Sequence, residues 1–188
     1  MAYLKGAPPL ANHWRRRAAR WFVLVVAALP TAAPTFAEPS LERAVKASYL
    51  FKFAPFIDWP ANAFTSSSAP FQICIEGQDP FGSVLDEVVR GQTIHGRRIA
   101  VRRLNSSNAS NCHILFVGKP VSPGGGNGLD GIGQSVLTVS DSDDGIRGGM
   151  IEFFLLGGRV RFRIDDSSAR ANGLRISSKL LGLAVDRK

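Results

Sequence analysis

The residues able to do chemistry in this 188-residue chain are few and scattered. Three histidines occur, and His13 lies in an amino-terminal segment that reads as a leader, which leaves His95 and His113. A histidine-based nucleophile would need one of them beside an activated serine, and no Gly-x-Ser-x-Gly turn is present. His113 follows Cys112 at the start of an apolar strand, where a structural role is the simpler reading. Cys74, Cys112, His113 and His95 lack the close ligand spacing of a zinc site. The glycine-rich run 123–128 lacks the Gly-Lys-Ser/Thr ending that makes a phosphate cradle specific, so it reads as a surface connection. Asp141, Asp143 and Asp144 carry near-alternating carboxylates without the rest of a calcium loop, and read as a solvated turn. Asp165 and Asp166 read as helix capping. The inventory points to no catalytic group, no metal and no cofactor.

Two features fit less easily into an inert surface. Lys52 sits inside the apolar run Tyr49–Ala54, where its charge must snorkel, pair or meet a ligand. Further on, a strand pair presents Phe154 and Leu156 among Arg159, Arg161 and Arg163. Either a helix covers that face, or it is apolar surface rimmed by arginine, as partner surfaces are.

The elements that must position these residues are readable. A helix starts at Leu41 after Ser40 and ends before Pro55, because the residue ahead of a proline avoids helical geometry. Residues 56–60 form a short extended aromatic segment. Phe71–Glu76 alternates as a strand, Asp79-Pro80 opens a helix from Phe81 to Arg90, and Ile99–Leu104 is a second strand. Cys112–Val117 is a third strand, apolar and central, and Val136–Val139 is a fourth. Gly157-Gly158 joins Met150–Leu156 to Arg159–Ile164 in a hairpin. Counting outward from that turn pairs Leu155 with Val160, Phe153 with Phe162 and Ile151 with Ile164 on the core face. The opposite face pairs Leu156 with Arg159, Phe154 with Arg161 and Glu152 with Arg163. A short helix from Asp165 stops at Asn172-Gly173, and Ile176, Leu180, Leu183 and Ala184 mark a final amphipathic helix. The fold class is α/β: a single domain with a mixed sheet of about five to six strands flanked by helices, ending in a β-hairpin and a final helix.

Residues 1–37 contain Lys5, Arg15, Arg16, Arg17 and Arg20 and no acidic residue. An apolar core Trp21–Leu29 follows, then small residues ending at Thr35-Phe36-Ala37, the pattern of a secretory signal. That core is far shorter than the roughly 20 residues of a membrane span. Of 23 basic residues five lie in this segment, so 18 face 15 acidic ones beyond it and the net charge falls from +8 to +3. That is weak support for nucleic-acid binding. In an oxidising compartment Cys74 and Cys112 read as one disulfide, with two buried free thiols as the alternative.

Several blocks resemble one known family. Lys46–Phe53 with Phe56-Ile57-Asp58-Trp59-Pro60 resembles the opening of the YfiR family. So do Cys112–Phe116, Val136–Val139, Gly148–Ile151 and Gly173–Leu181, in order along residues 38–188. The resemblance implies a periplasmic repressor of an inner-membrane diguanylate cyclase that contacts that enzyme's periplasmic part and lowers cyclic-di-GMP signalling and biofilm formation. It also implies a homodimer and release under redox or envelope stress. Cys74 and Cys112 fall where the family has a cysteine pair, while a second pair found in its best-known members has no counterpart here. The helix usual before the fourth strand is replaced by the glycine-rich run.

The expected contact surface is Phe56, Trp59, Phe154, Leu156, Arg161, Arg175 and Lys179, on a cyclase or another membrane signalling protein. The alternative is a small-ligand receptor working with a membrane sensor, holding an aromatic or anionic metabolite between Lys52, Trp59 and Arg175. Neither reading needs nucleic acid or insertion in the membrane.

Overall fold

The computed structural model describes residues 41–104, 109–121, 129 and 132–185. The expected leader, residues 1–37, and the glycine-rich run 123–128 lie outside these residues. Helix α1 (Leu41–Phe53) has Glu42 in its first turn and Lys52 in its last, each at the dipole end that favours its charge. It buries Lys46, Ala47, Leu50 and Phe53, a stripe at helical spacing. Pro55 converts the next residues into a 3-10 turn, Ala54–Phe56, and β1 (Ile57–Asp58) follows.

After β2 (Phe71–Glu76) the carboxylate of Asp79 accepts from the Phe81 and Gly82 amides at 2.7 and 3.1 Å. This closes a turn rather than opening the helix at once. Gly82, at φ 53°, takes a backbone shape that α-helix excludes, so α2 is Ser83–Val89 and not 81–90. Strand β3 (Thr93–Ile94) pairs antiparallel with the start of β4 (Arg97–Leu104) through a tight turn at His95-Gly96. Both turn residues have positive φ, 48° and 77°.

Strand β5 (Ile114–Val117) lies at the centre of the sheet. It is followed by β6 (Leu137–Asp141), β7 (Ile151–Leu156) and β8 (Arg159–Ile164). The order is β3-β4-β2-β5-β6-β7-β8, parallel from β4 to β7 and antiparallel at both ends. Seven strands form this sheet. The strand added to this sheet relative to the sequence reading is the short β3, while β1 pairs outside it. The hairpin register is the one counted from Gly157-Gly158, with Leu155 opposite Val160 and Phe154 opposite Arg161.

Helix α3 (Asp166–Ala171) is capped by Asp165, which accepts from Ser168 N at 3.0 Å. It ends where Gly173 N bonds Arg170 O and Leu174 N bonds Ala169 O, with Gly173 at φ 79°. Strand β9 (Arg175–Ile176) pairs antiparallel with β1, so Ile176 is strand and not the start of a final helix. Among the described residues, only α4 (Ser178–Leu181), one turn capped by Ser177, follows.

The main core lies on one sheet face. Ile73, Ile75, Ile114, Phe116, Leu137, Val139, Ile151 and Phe153 meet residues of all four helices there. The other face carries a smaller cluster of Cys74, Leu115, Val117, Val136 and Ile146, and none of its buried residues is helical. β5 and β6 are buried throughout, as parallel central strands covered on both sides must be.

A candidate partner-docking surface

Open parallel sheets hold ligands where chain order reverses, outside the carboxyl ends of two neighbouring strands. Here that point lies between β2 and β5, since β4 continues to one side of β2 and β5 starts on the other. The crevice is closed. Gly118 N donates to Glu76 O and Gln78 N to Lys119 O, each at 2.8 Å. A Cβ at Gly77 or Gly118 would collide with the carbonyl oxygens of Lys119 or Gln78, so only glycine lets the two loops approach this closely. Beside them the acidic turn is solvated only in part, since Asp143 is exposed but Asp141 is not. Asp141 is buried and accepts from Lys46 Nζ at 2.5 Å, and Glu42 holds the same ammonium at 2.6 Å. Asp143 lies 3.7 Å from Lys46, and Lys119 pairs with Asp144 at 3.1 Å. Burial works against the Lys46 charge, but the hydrogen bonds it donates to Asp141 and Glu42, with their negative charge, outweigh it and raise the lysine pKa.

His113 is held structurally. Its Nδ1 accepts from Gln72 N at 3.0 Å, and the backbone N–H of His113 donates to Gln72 O. The ring stacks between Phe64 and Phe71, with centroids 4.3 and 4.8 Å away. Burial lowers its pKa to about 4, against a weaker upward pull from the Ala63 carbonyl. Cys74 and Cys112 form a disulfide.

One cleft is formed where α1, β8 and α4 meet. It encloses about 260 Å³, lined by Tyr49, Lys52, Phe53, Phe56, Val160 and Phe162, with Leu180, Leu183 and Arg161 at its border. Its walls are rigid: Tyr49 stacks on Phe53 at 5.6 Å, and Phe162 meets both rings edge-on at 5.6 and 5.1 Å. Ser177 N bonds Phe56 O and Val185 N bonds Phe162 O, both at 2.9 Å, which fixes α4 beside the cleft. Lys52 is exposed, and Leu183 is 66 % exposed. Among the described residues Lys52 makes no ion pair. An apolar aromatic hollow with an exposed leucine and two cations, Lys52 and Arg161, neither in an ion pair among the described residues, suits an anchor side chain with a neighbouring carboxylate.

The family follows from the whole sequence. The YfiR/HmsC-like profile matches residues 43–185. The chain belongs to that family. YfiR/HmsC-like proteins are, at the family level, periplasmic and non-catalytic regulators that work through a membrane protein. No curated protein matches the chain. Among the described residues no helix is long and apolar enough to cross a membrane.

Against this family frame, the expected site residues fall in separate places. Phe56 and Arg161 belong to the cleft, as does Lys52. Arg175 and Lys179 are exposed on β9 and α4, and Arg175 lines a separate, open depression with Arg170 and Leu174. Trp59 lines neither hollow. It packs edge-on against Phe71 at 5.1 Å, half-buried. The trio Lys52, Trp59 and Arg175 therefore does not share one hollow. Leu156 is 56 % exposed near the hairpin turn, but Phe154 is only 7 % exposed. The Arg163 guanidinium lies 4.0 Å over its ring and is held by Glu152 at 2.8 Å. Tyr49, Val160 and Leu180 are lining residues that strand and helix periodicity marked only as core.

Proposed function

We propose that this protein is an exported repressor that docks on the periplasmic part of an inner-membrane diguanylate cyclase and keeps it in its less active state. Residues 1–37 serve as its signal peptide, and it works as a homodimer. The observation that carries the reading is the cleft between α1, β8 and α4, with Leu183 exposed at its border and Lys52 unneutralised. Rigid aromatic walls cost little ordering on binding, and buried aromatic anchors dominate such interfaces. A protein with its switch-point crevice closed regulates most simply by touching its target: preferring one state of the partner shifts that partner's population. The contact surface comprises the cleft with Phe56 and Arg161, Leu156 at the hairpin, and Arg175 and Lys179 beside α4. It also takes in half-buried Trp59 and the small exposed part of Phe154.

The test uses Leu183→Asp and Lys52→Glu, both at exposed positions, so that folding is retained. Each should release the cyclase in pull-down from membranes and raise cellular cyclic-di-GMP, with an unchanged melting temperature. Pull-down and cyclic-di-GMP at wild-type levels in both variants would remove the cleft from the function.

The same hollow favours a second reading, a receptor for a small aromatic carboxylate that seats its ring on Phe53, Phe56 and Phe162 and its charge on Lys52. A ligand bound by the native state alone raises the melting temperature. Indole-3-acetate is a suitable probe, and a shift that disappears in Lys52→Glu supports this reading.

A further inference from the structure

The two ends of the seven-stranded sheet are finished differently. At β8 the chain covers its own edge, since Val185 N donates to Phe162 O at 2.9 Å. At the other end β3 pairs only with Arg97 and Arg98. Among the described residues, 99–104 of β4 have a strand partner on the β2 side alone. No residue of β4 is fully buried. An unpaired edge of this length is a template for an added strand.

What could occupy it follows from the side chains. Ile99 and Val101 face the main core, half-buried, and with Val89 they line a groove of about 500 Å³ beside the edge. Leu104 packs on the opposite face, so Arg98, Ala100 and Arg102 share that face, away from the helices. Arg103 is neutralised by Asp79 and Asp86 at 2.7 and 2.6 Å. Arg97 and Arg102 donate only to neutral carbonyls, of Ser66 and Ala69 and of Ser110 respectively. Arg98 is exposed and makes no ion pair among the described residues. Among the described residues, Arg98 and Arg102 on this face have no carboxylate partner and lie about 13 Å apart along the strand.

A second copy fits poorly. Residues 97–103 read Arg-Arg-Ile-Ala-Val-Arg-Arg, a charge pattern symmetric about Ala100. Two-fold antiparallel pairing about that centre sets Arg98 against Arg102, and like charges directly opposite are destabilising. We propose that the open edge of β4 binds an acidic, extended segment of a partner protein as an added strand. Its alternate apolar side chains enter the groove over Val89, Ile99 and Val101, and its carboxylates meet Arg98 and Arg102. This surface is distinct from the α1–β8–α4 cleft and stands whether or not that cleft docks a cyclase.

The test titrates the purified full chain with a synthetic heptapeptide alternating glutamate and valine, and with its lysine-for-glutamate counterpart. The acidic peptide should bind, protect the amides of 99–104 from exchange, and bind more weakly at about 200 mM than at about 50 mM salt. The double variant Arg98→Glu/Arg102→Glu should weaken it about tenfold, while Arg98→Glu alone, at a fully solvated position, gives a smaller loss in the same direction. Four results would each overturn the proposal: no binding of the acidic peptide, equal binding of the lysine peptide, unchanged affinity in both variants, or amide protection of 99–104 that grows with protein concentration alone.

Discussion

At pH 7 His113 is a neutral ring, buried between Phe64 and Phe71, and it refuses a proton until about pH 4. In the unfolded chain the same imidazole titrates near 6.5. Above pH 6.5 neither state binds the proton and the group contributes no pH dependence. Between 6.5 and 4 the unfolded state alone binds it, so stability falls as pH falls, by about 3 kcal/mol across the window. Urea midpoints at pH 7.5 and pH 4.5 should show this drop. His113→Asn, whose side-chain oxygen can still accept from Gln72 N–H, should lose less over the same interval. An equal drop in wild type and variant would assign the acid sensitivity to carboxylates instead. The sequence identified His113 as structural from its place at a strand start, but could not show the sandwich, because Phe64 and Phe71 come from a loop and a different strand. Lysines illustrate the same limit. Lys52 looked anomalous because Phe51 and Phe53 flank it, yet it is exposed, and Lys46 is the buried one. On a helix the neighbours that matter are three and four residues away. Lys46 shares its stripe with Leu50 and Phe53, and its partner Asp141 lies 95 residues further on.

Elements whose sequence period is unbroken were legible to the residue. β2 alternates, and the hairpin carries its own turn, so both its register and its two faces follow from Gly157-Gly158. Elements set by tertiary contact were not. Ile176 has helical spacing with Leu180, but backbone pairing with Ile57 draws it into a strand. Phe154 lies on the face the alternation assigned, yet whether that face stayed open depended on where Arg163 turned. The loops after β2 and β5 are likewise decided by backbone approach, which composition does not encode beyond the presence of Gly77 and Gly118. Gly118→Ala places a methyl against the Gln78 carbonyl and must break the Gln78–Lys119 bond. Overpacking of this kind should cost about 1–3 kcal/mol, read as a lower urea midpoint. Gly133→Ala, with open space around the added Cβ, is the matched comparison and should be close to neutral. Equal midpoints for the two variants would show that the loops can part at no cost, and with that the argument for a sealed crevice would fail.

On the scale of the molecule, the two faces of the sheet are unequally supported. One is packed by residues of all four helices, while the other rests on a small cluster drawn from strands and loops. The disulfide lies in that weaker layer, joining β2 to the segment ahead of β5 across 38 residues. In a chain-entropy account a loop of that length contributes roughly 4 kcal/mol, against a total stability of about 5–15 kcal/mol for a domain. Stability should therefore depend strongly on the compartment. Thiol reductant should lower the melting temperature of the wild type markedly. Cys74→Ala/Cys112→Ala should melt at the reduced value and ignore the reductant. Produced in a reducing cytoplasm the chain should accumulate poorly, and behind an export signal it should recover. A melting temperature indifferent to reductant would mean that the strand and loop cluster holds the second face unaided, and the tie between this fold and an oxidising compartment would then be lost.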